Sequence, residues 1–224
     1  MKTLGIWALA GICACFAGAA RASAVEEGIL LERLSGSVGY TTPAQGRFVP
    51  VTGRLQLDPF DYALTKKRSM AQVTLPDSSV ISIGASTRVR VGAFSTAHDV
   101  ASMRIAIVDG ALHFSVRHPA GGRSNYVFTT PTSQIGIRGT EGIIVVRPGE
   151  TIVACVHGTP NDTLVTALDG SKIYVPVGQT LRIREIGHKR IRMLMSRGVS
   201  GPQFEQFGAI VARNHAMRAN GGSR

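Results

Sequence analysis

What most constrains the fold of this 224-residue chain is a two-residue hydrophobic period, repeated through its middle and interrupted by turn residues. Side chains on a strand alternate faces, so this period marks half-buried strands. Ile81 and Ile83 share one face with Ser82 opposite, and Val89 and Val91 oppose Arg88 and Arg90. Met103, Ile105 and Ile107 alternate with Arg104 and Ala106. Asp109-Gly110 reads as a hairpin turn, after which Leu112, Phe114 and Val116 alternate with His113, Ser115 and Arg117. Ile143-Ile144-Val145-Val146 is apolar on both faces, as suits a strand buried on two sides, and Pro148-Gly149 ends it. Between Gly36 and Ile186 no sustained helical period with caps occurs, and 26 glycines and 10 prolines suit frequent turns. The expected fold class is all-β: an antiparallel sandwich or roll, or a short β-solenoid, built from many short strands. Alternation alone does not separate the three.

The ends are written differently. Lys2, an apolar stretch over residues 4–18 and the small residues Ala22-Ser23-Ala24 read as a signal peptide over 1–24. The apolar run falls short of the ~20 residues that a membrane-spanning helix needs. A retained anchor is the weaker alternative, as is lipidation at Cys13 or Cys15, whose neighbours fit that modification poorly. The expected product is exported and periplasmic, with a lipoprotein or secreted form as lesser alternatives. Cleavage leaves Cys155 without a disulfide partner, so the body must be held by its hydrophobic core. Cys155 sits in the apolar run 151–156 and reads as a buried, inert thiol.

Formal charge is +11, much of it beyond Gly187. There Lys189, Arg190, Arg192, Arg197, Arg213, Arg218 and Arg224 face Glu205 alone. The chain therefore divides into 1–24, an all-β domain over 25–186, and a basic tail over 187–224. Within the tail, Phe204, Phe207, Ile210 and Val211 recur at helical spacing after Pro202, which predicts a short amphipathic helix. That helix packs its apolar stripe on the domain in one reading; in another, clustered cations hold an anionic polymer or lipid surface. Nucleic acid is not expected, since no aromatic stacking platform is interleaved with the cations.

The segment 129–141, Thr-Thr-Pro-Thr-Ser-Gln-Ile-Gly-Ile-Arg-Gly-Thr-Glu, is the most specific motif. Pro131 fixes its own φ and biases Thr130 toward extended backbone, so a strand ends there. Gly136 and Gly139 permit backbone angles or close approaches closed to other residues. Arg138 between them carries five fixed donors, suited either to carbonyls of its own loop or to a ligand carboxylate. Thr130-Pro131 with Arg138-Gly139-Thr140 resembles the signature of the FecR domain, an all-β module of bacterial envelope proteins. Ser35-Gly36-Ser37-Val38, Ser69-Met70-Ala71, Val80-Ile81-Ser82-Ile83, Gly110-Ala111-Leu112 and Gly178-Gln179 fit the remaining pattern, over roughly residues 35–183. Asp77-Ser78-Ser79 stands where the family has D-G-S. Pro59-Phe60-Asp61 replaces an expected G-D, so that turn is built differently. Gly142 replaces a common aromatic, which predicts looser packing beside Glu141.

The resemblance implies a non-enzymatic binding or regulatory module contacting a partner protein or envelope component. Family members of the best-known type are transmembrane regulators with a cytoplasmic anti-sigma part; this chain resembles their domain and not that layout. A structural envelope protein binding anionic polymer or lipid through its tail is the alternative, and an undetected hydrolase a third. The six histidines (His98, His113, His118, His157, His188, His215) lack metal-ligand spacing. No G-x-S-x-G, phosphate-cradling glycine loop or spaced cysteine pairs occur. No catalytic residue, metal or cofactor is therefore expected. The candidate partner-binding residues are Thr130, Pro131, Arg138, Gly139 and Thr140, with Lys189, Arg190, Arg192 and Arg197 in the tail.

Overall fold

The computed structural model describes residues 28–117, 123–187, 190–199 and 201–221. The signal-peptide segment 1–24, Lys189, His118 and His188 lie outside the described residues. Strands come first: β1 (Ile29–Ser35), β2 (Val38–Thr41), β3 (Val49–Val51), β4 (Arg54–Leu57), β5 (Tyr62–Thr65) and β6 (Met70–Thr74). Next are β7 (Val80–Ile83), β8 (Arg88–Val91), β9 (Ser95–Ala97), β10 (Val100–Ser115), β11 (Arg123–Thr129) and β12 (Ser133–Ile137). Last are β13 (Glu141–Arg147), β14 (Glu150–His157), β15 (Thr163–Ala167), β16 (Lys172–Tyr174), β17 (Gln179–Glu185) and β18 (Ile191–Arg197). Two helical segments follow, α1 (Pro202–Glu205) and α2 (Gly208–Gly221).

All-β is what the alternation predicted. The strands form one hydrogen-bonded system folded into two layers, a sandwich with nearly closed walls. Sheet A runs β4-β1-β6-β7-β10-β13-β14-β17-β18 and is antiparallel throughout. Sheet B runs β3-β2-β5-β8-β10-β11-β12-β15-β16. Its pairing of β10 with β11 is parallel, the exception to the antiparallel expectation.

Both sheets contain β10. Residues up to Asp109 pair with β8 in sheet B, and Gly110–Ser115 pair with β7 and β13 in sheet A. Asp109-Gly110 is thus no hairpin turn but the crossing point of one 16-residue strand. Gly110 makes the bend with φ 97°, and Thr87 secures it: the Thr87 hydroxyl accepts from Ala111 N at 2.9 Å. A hairpin is impossible here because the two halves of β10 take their partners from different layers.

Residues facing inward from both sheets make the main core, including Leu31, Ile83, Met103, Leu112, Phe114, Phe128, Ile144 and Val153. A second cluster lies on the outer face of sheet A. There Ile143, Val145, Ile152 and Ala154 meet Phe204 and Phe207 of the C-terminal helical region. This explains why β13 and β14 are apolar on both faces: each is covered twice. Gly142 does not loosen the packing. A Cβ there would stand 2.6 Å from the Phe114 ring, so that ring already fills the space.

The basic segment after Gly187 does not begin as a free tail. Residues 191–197 form β18, hydrogen-bonded to β17 along its length at the edge of sheet A. No helix among the described residues is long and apolar enough to cross a membrane.

Candidate functional site

Thr130 and Pro131 form the turn between β11 and β12, and the threonine is consumed structurally. Its hydroxyl accepts from Ser133 N at 3.0 Å and donates to Ser133 O at 3.1 Å. Across the sandwich, the Thr151 hydroxyl donates to it at 2.9 Å, and Thr132 donates to Thr151 at 2.6 Å. A chain of hydroxyls therefore ties this turn of sheet B to β14 of sheet A. Pro131 is exposed at the tip. Thr140 is also interior: it is buried, with its carbonyl accepting from Val116 N at 3.0 Å. Gly139 holds φ 66°, the left-handed conformation that suits glycine there. Gly136 needs neither special angle nor close approach, its nearest neighbour being Leu164 O at 3.8 Å.

Arg138 is the exception. Its backbone N–H binds Asp162 O at 3.0 Å, but its side chain is exposed and lines an open cleft of about 670 Å³. Arg123, Asn125 and Asp162 line the same cleft. The Asp162 carboxylate is already engaged, accepting from Thr159 N at 3.1 Å and from the Thr159 hydroxyl. Ser124, also at the cleft wall, is buried, and its hydroxyl has no hydrogen-bond partner among the described residues.

The cleft continues across the outer face of sheet B. Asn125 also borders a hollow of about 410 Å³ that contains Arg104 and Phe60. Phe60, Gly92 and Arg104 border in turn a third hollow of about 200 Å³, beside Arg90. Registers fix this line. Arg90 pairs with Ala106, Arg104 with Val127, and Ile137, the residue before Arg138, with Tyr126. The cations therefore step diagonally across β8, β10, β11 and β12, about 14 Å across the sheet and about 13 Å along the strands at usual spacings, roughly 20 Å in all. Sequence reasoning singled out Arg138 and missed Arg90, Arg104 and Arg123. Outward arginines on successive alternating strands were the available signal, but which strands are neighbours is not written in the alternation.

Phe60 stands where the resemblance expects glycine, and it keeps the glycine's backbone, with φ 77°. Its N–H binds Val91 O at 2.7 Å, and Arg90 lies 5.1 Å from its ring centre. The ring is 50% exposed. The turn itself demands that angle: Asp61 N donates to Asp58 O at 3.1 Å, and with Pro59 second the third position of this type II turn, Phe60, must take positive φ, where glycine is the usual choice. In the turn between β6 and β7, Ser78 likewise substitutes for a family glycine at φ 64°. The Asp77 carboxylate beside it accepts from Tyr126 Oη at 2.6 Å and Ser79 Oγ at 3.0 Å. Burial, with that carboxylate next, pushes the Tyr126 phenol far above its ordinary range, so it stays a neutral donor.

A second polar cluster lies under α2. His113 Nε2 and Glu141 Oε1 are 2.8 Å apart, both side chains fully buried, and Asn214 Nδ2 donates to the same oxygen at 3.0 Å. Phe207 stacks obliquely over His113 at 6.1 Å. An adjacent hollow of about 470 Å³ is lined by Ser115, Arg117, His157 and Asn214. No substrate atom can reach the buried pair while the helix is docked. Its geometry serves as a polar anchor for α2, a role that residue spacing gave no hint of.

The remaining predicted residues are scattered. Arg190, Arg192 and Arg197 are exposed at or beside β18, remote in the sheet order from Arg138. Cys155 is buried between the layers, and burial pushes its thiol upward, away from thiolate character. Among the described residues no three His, Cys, Asp or Glu side chains converge as metal ligands.

No curated protein matches the sequence. Among solved structures, the chain is similar to a proposed anti-sigma factor from Parabacteroides distasonis ATCC 8503, crystallised at 1.65 Å and again at 2.50 Å resolution. Each aligns at 16% identity with a TM-score of 0.49 over 61% of this chain. The chain spans 59% of that protein's length. The family model described as FecR protein matches residues 61–159, which include β5 through β14 and the whole 129–141 motif. Residues 61–159, with the signature turn and the Arg-Gly-Thr segment, match a FecR domain.

Proposed function

We propose that this FecR-domain chain is a regulatory signalling module that works by binding and not by turnover. It is an exported, periplasmic sandwich whose face around Arg138 contacts a partner protein or envelope component. The observation that carries this reading is the division of labour within the signature. Thr130, half-buried, and Thr140, buried, are spent on the fold's own hydrogen bonds, while Arg138 projects from the same segment into an open cleft. Arginine that is not spent on its own backbone is the residue best matched to a carboxylate or another planar acceptor. The alternative, a structural envelope protein binding anionic polymer or lipid through its basic tail, would use Arg190, Arg192 and Arg197, exposed at or beside the edge strand β18.

A photo-cross-linking residue at position 138, compared with one at Arg54 on sheet A, tests the proposal in envelope fractions. A discrete adduct formed at 138 and not at 54 supports it. The same adducts at both positions, or none at 138, would refute it.

A further inference from the structure

The two outer faces of the sandwich are unequal. Sheet A is covered by Phe204, Phe207 and α2, whereas no described element covers the outer face of β8, β10, β11 and β12. That face instead carries the three joined hollows, with Arg90, Arg104, Arg123 and Arg138 along them. Arg104, Arg123 and Arg138 have no ion pair among the described residues. The acidic side chain within the groove, Asp162, is already bound to Thr159. Four cations across one open surface make a field that attracts extended anions.

Phe60 decides which kind of anion. The turn at Phe60 would be served by glycine, yet the position carries a half-exposed aromatic ring that borders two of the three hollows. Flat aromatic faces attract the weakly positive C–H face of a sugar ring, and guanidinium forks bind a carboxylate through paired hydrogen bonds. A peptide would more naturally extend a sheet edge. This groove crosses the sheet face; sheet B ends in β3 and β16, and its further free edge, β9 beside the start of β10, is three residues long, too short to carry an extended peptide. A folded protein partner would need apolar anchors in deep pockets, and Phe60 is the large exposed apolar side chain here.

We propose that the groove across sheet B binds an acidic linear polysaccharide, with uronate carboxylates on Arg104 and Arg138 and a sugar ring against Phe60. This rests on the binding reading above and names its ligand class.

The test uses calorimetric titration of the chain with polygalacturonate, with neutral dextran and poly-glutamate as comparators. The variants are Phe60→Gly, the double variant Arg104→Gln with Arg138→Gln, and, outside the groove, Arg192→Gln with Arg197→Gln. Polygalacturonate should bind while dextran does not. The groove double variant should weaken binding by about tenfold or more, since each charged hydrogen bond is worth roughly that factor. Phe60→Gly should weaken uronate binding while leaving the melting temperature unchanged or higher, which separates loss of a platform from loss of the fold. The β18 variants should bind as the parent does.

Absence of polygalacturonate binding overturns the proposal. So does poly-glutamate binding of equal strength that ignores Phe60, which would assign the groove to an acidic peptide. Weakening by the β18 variants alone would move the site to the basic edge. If position 138 still yields its discrete cross-link while uronate fails to bind, the ligand class is wrong and the binding reading survives.

Discussion

Replacing Phe207 by alanine should separate the C-terminal helix from the sandwich. Phe207 is fully buried, packs with Ile143, Val145, Ile152 and Ala154, and lies over His113. Truncating a buried phenylalanine costs about 3–5 kcal/mol when the surroundings cannot collapse. Here one wall of the site is a helix that can relax, so the lower end, about 3 kcal/mol, is expected. For a chain of this size that corresponds to a fall in melting temperature of about 6–12 °C, taking 2–4 °C per kcal/mol. The loss should also be local. The Asn214 bond to Glu141 breaks when α2 lifts, and water then reaches the His113–Glu141 pair. Calorimetric melting gives the first number. Hydrogen exchange gives the second: amides of α2 should exchange well before those of β13 and β14. A melting shift under about 2 °C, with α2 amides as protected as in the parent, would show that the helix is not held by this ring.

Other perturbations probe other parts. Glu150 is held by Arg182 and Arg184, each 2.8 Å away; burial raises its pKa, but the two guanidiniums outweigh burial and hold it below the ordinary glutamate range. A depressed folded pKa gives stability that is present above the unfolded value, about 4.3, and disappears as pH falls through the folded one. Glu150→Gln should therefore be less stable than the parent at neutral pH, by under about 1 kcal/mol because the arginines are half in solvent, and the gap should close in acid. A gap that widens below pH 4 would contradict this. Thr130→Val removes the acceptor for Ser133 N and Thr151, leaving buried donors unpaired, and should cost about 1–3 kcal/mol in urea unfolding; an unchanged midpoint would mean that the turn is not bound to β14. Cys155 should resist thiol reagents in native protein beginning at Val25 and react only on unfolding; rapid labelling without denaturant would place it at the surface.

The layer-forming strands were legible because the pleat imposes the same two-residue period on any half-buried strand. The buried double-sided run at Ile143-Ile144-Val145-Val146 was equally plain, though what covers its second face was not. Phe204 and Phe207 showed a helical stripe, and only the sandwich reveals that this stripe answers the outer face of β13 and β14. Asp109-Gly110 misled because a glycine that bends a strand between sheets looks locally like one that turns a hairpin. The basic segment misled for another reason: Ile191, Met193 and Met195 alternate with Arg192, Leu194 and Ser196, a weak strand pattern hidden by the charge. In the candidate site, Arg138 was legible from its motif. Arg123 joins it through the antiparallel pairing of β11 with β12, and Arg104 only through the parallel pairing of β10 with β11, a long-range choice that no local pattern encodes.

That shared strand has a mechanical meaning. Arg104 in its first half borders the groove, and His113 in its second half lies beneath α2, so a single spar passes from the open surface to the covered one. Neither layer can slide or peel away without bending this member at Gly110, where the Thr87 hydroxyl clamps it. The module is accordingly built as a rigid lever, and whatever grips one side pulls on a piece that is anchored on the other.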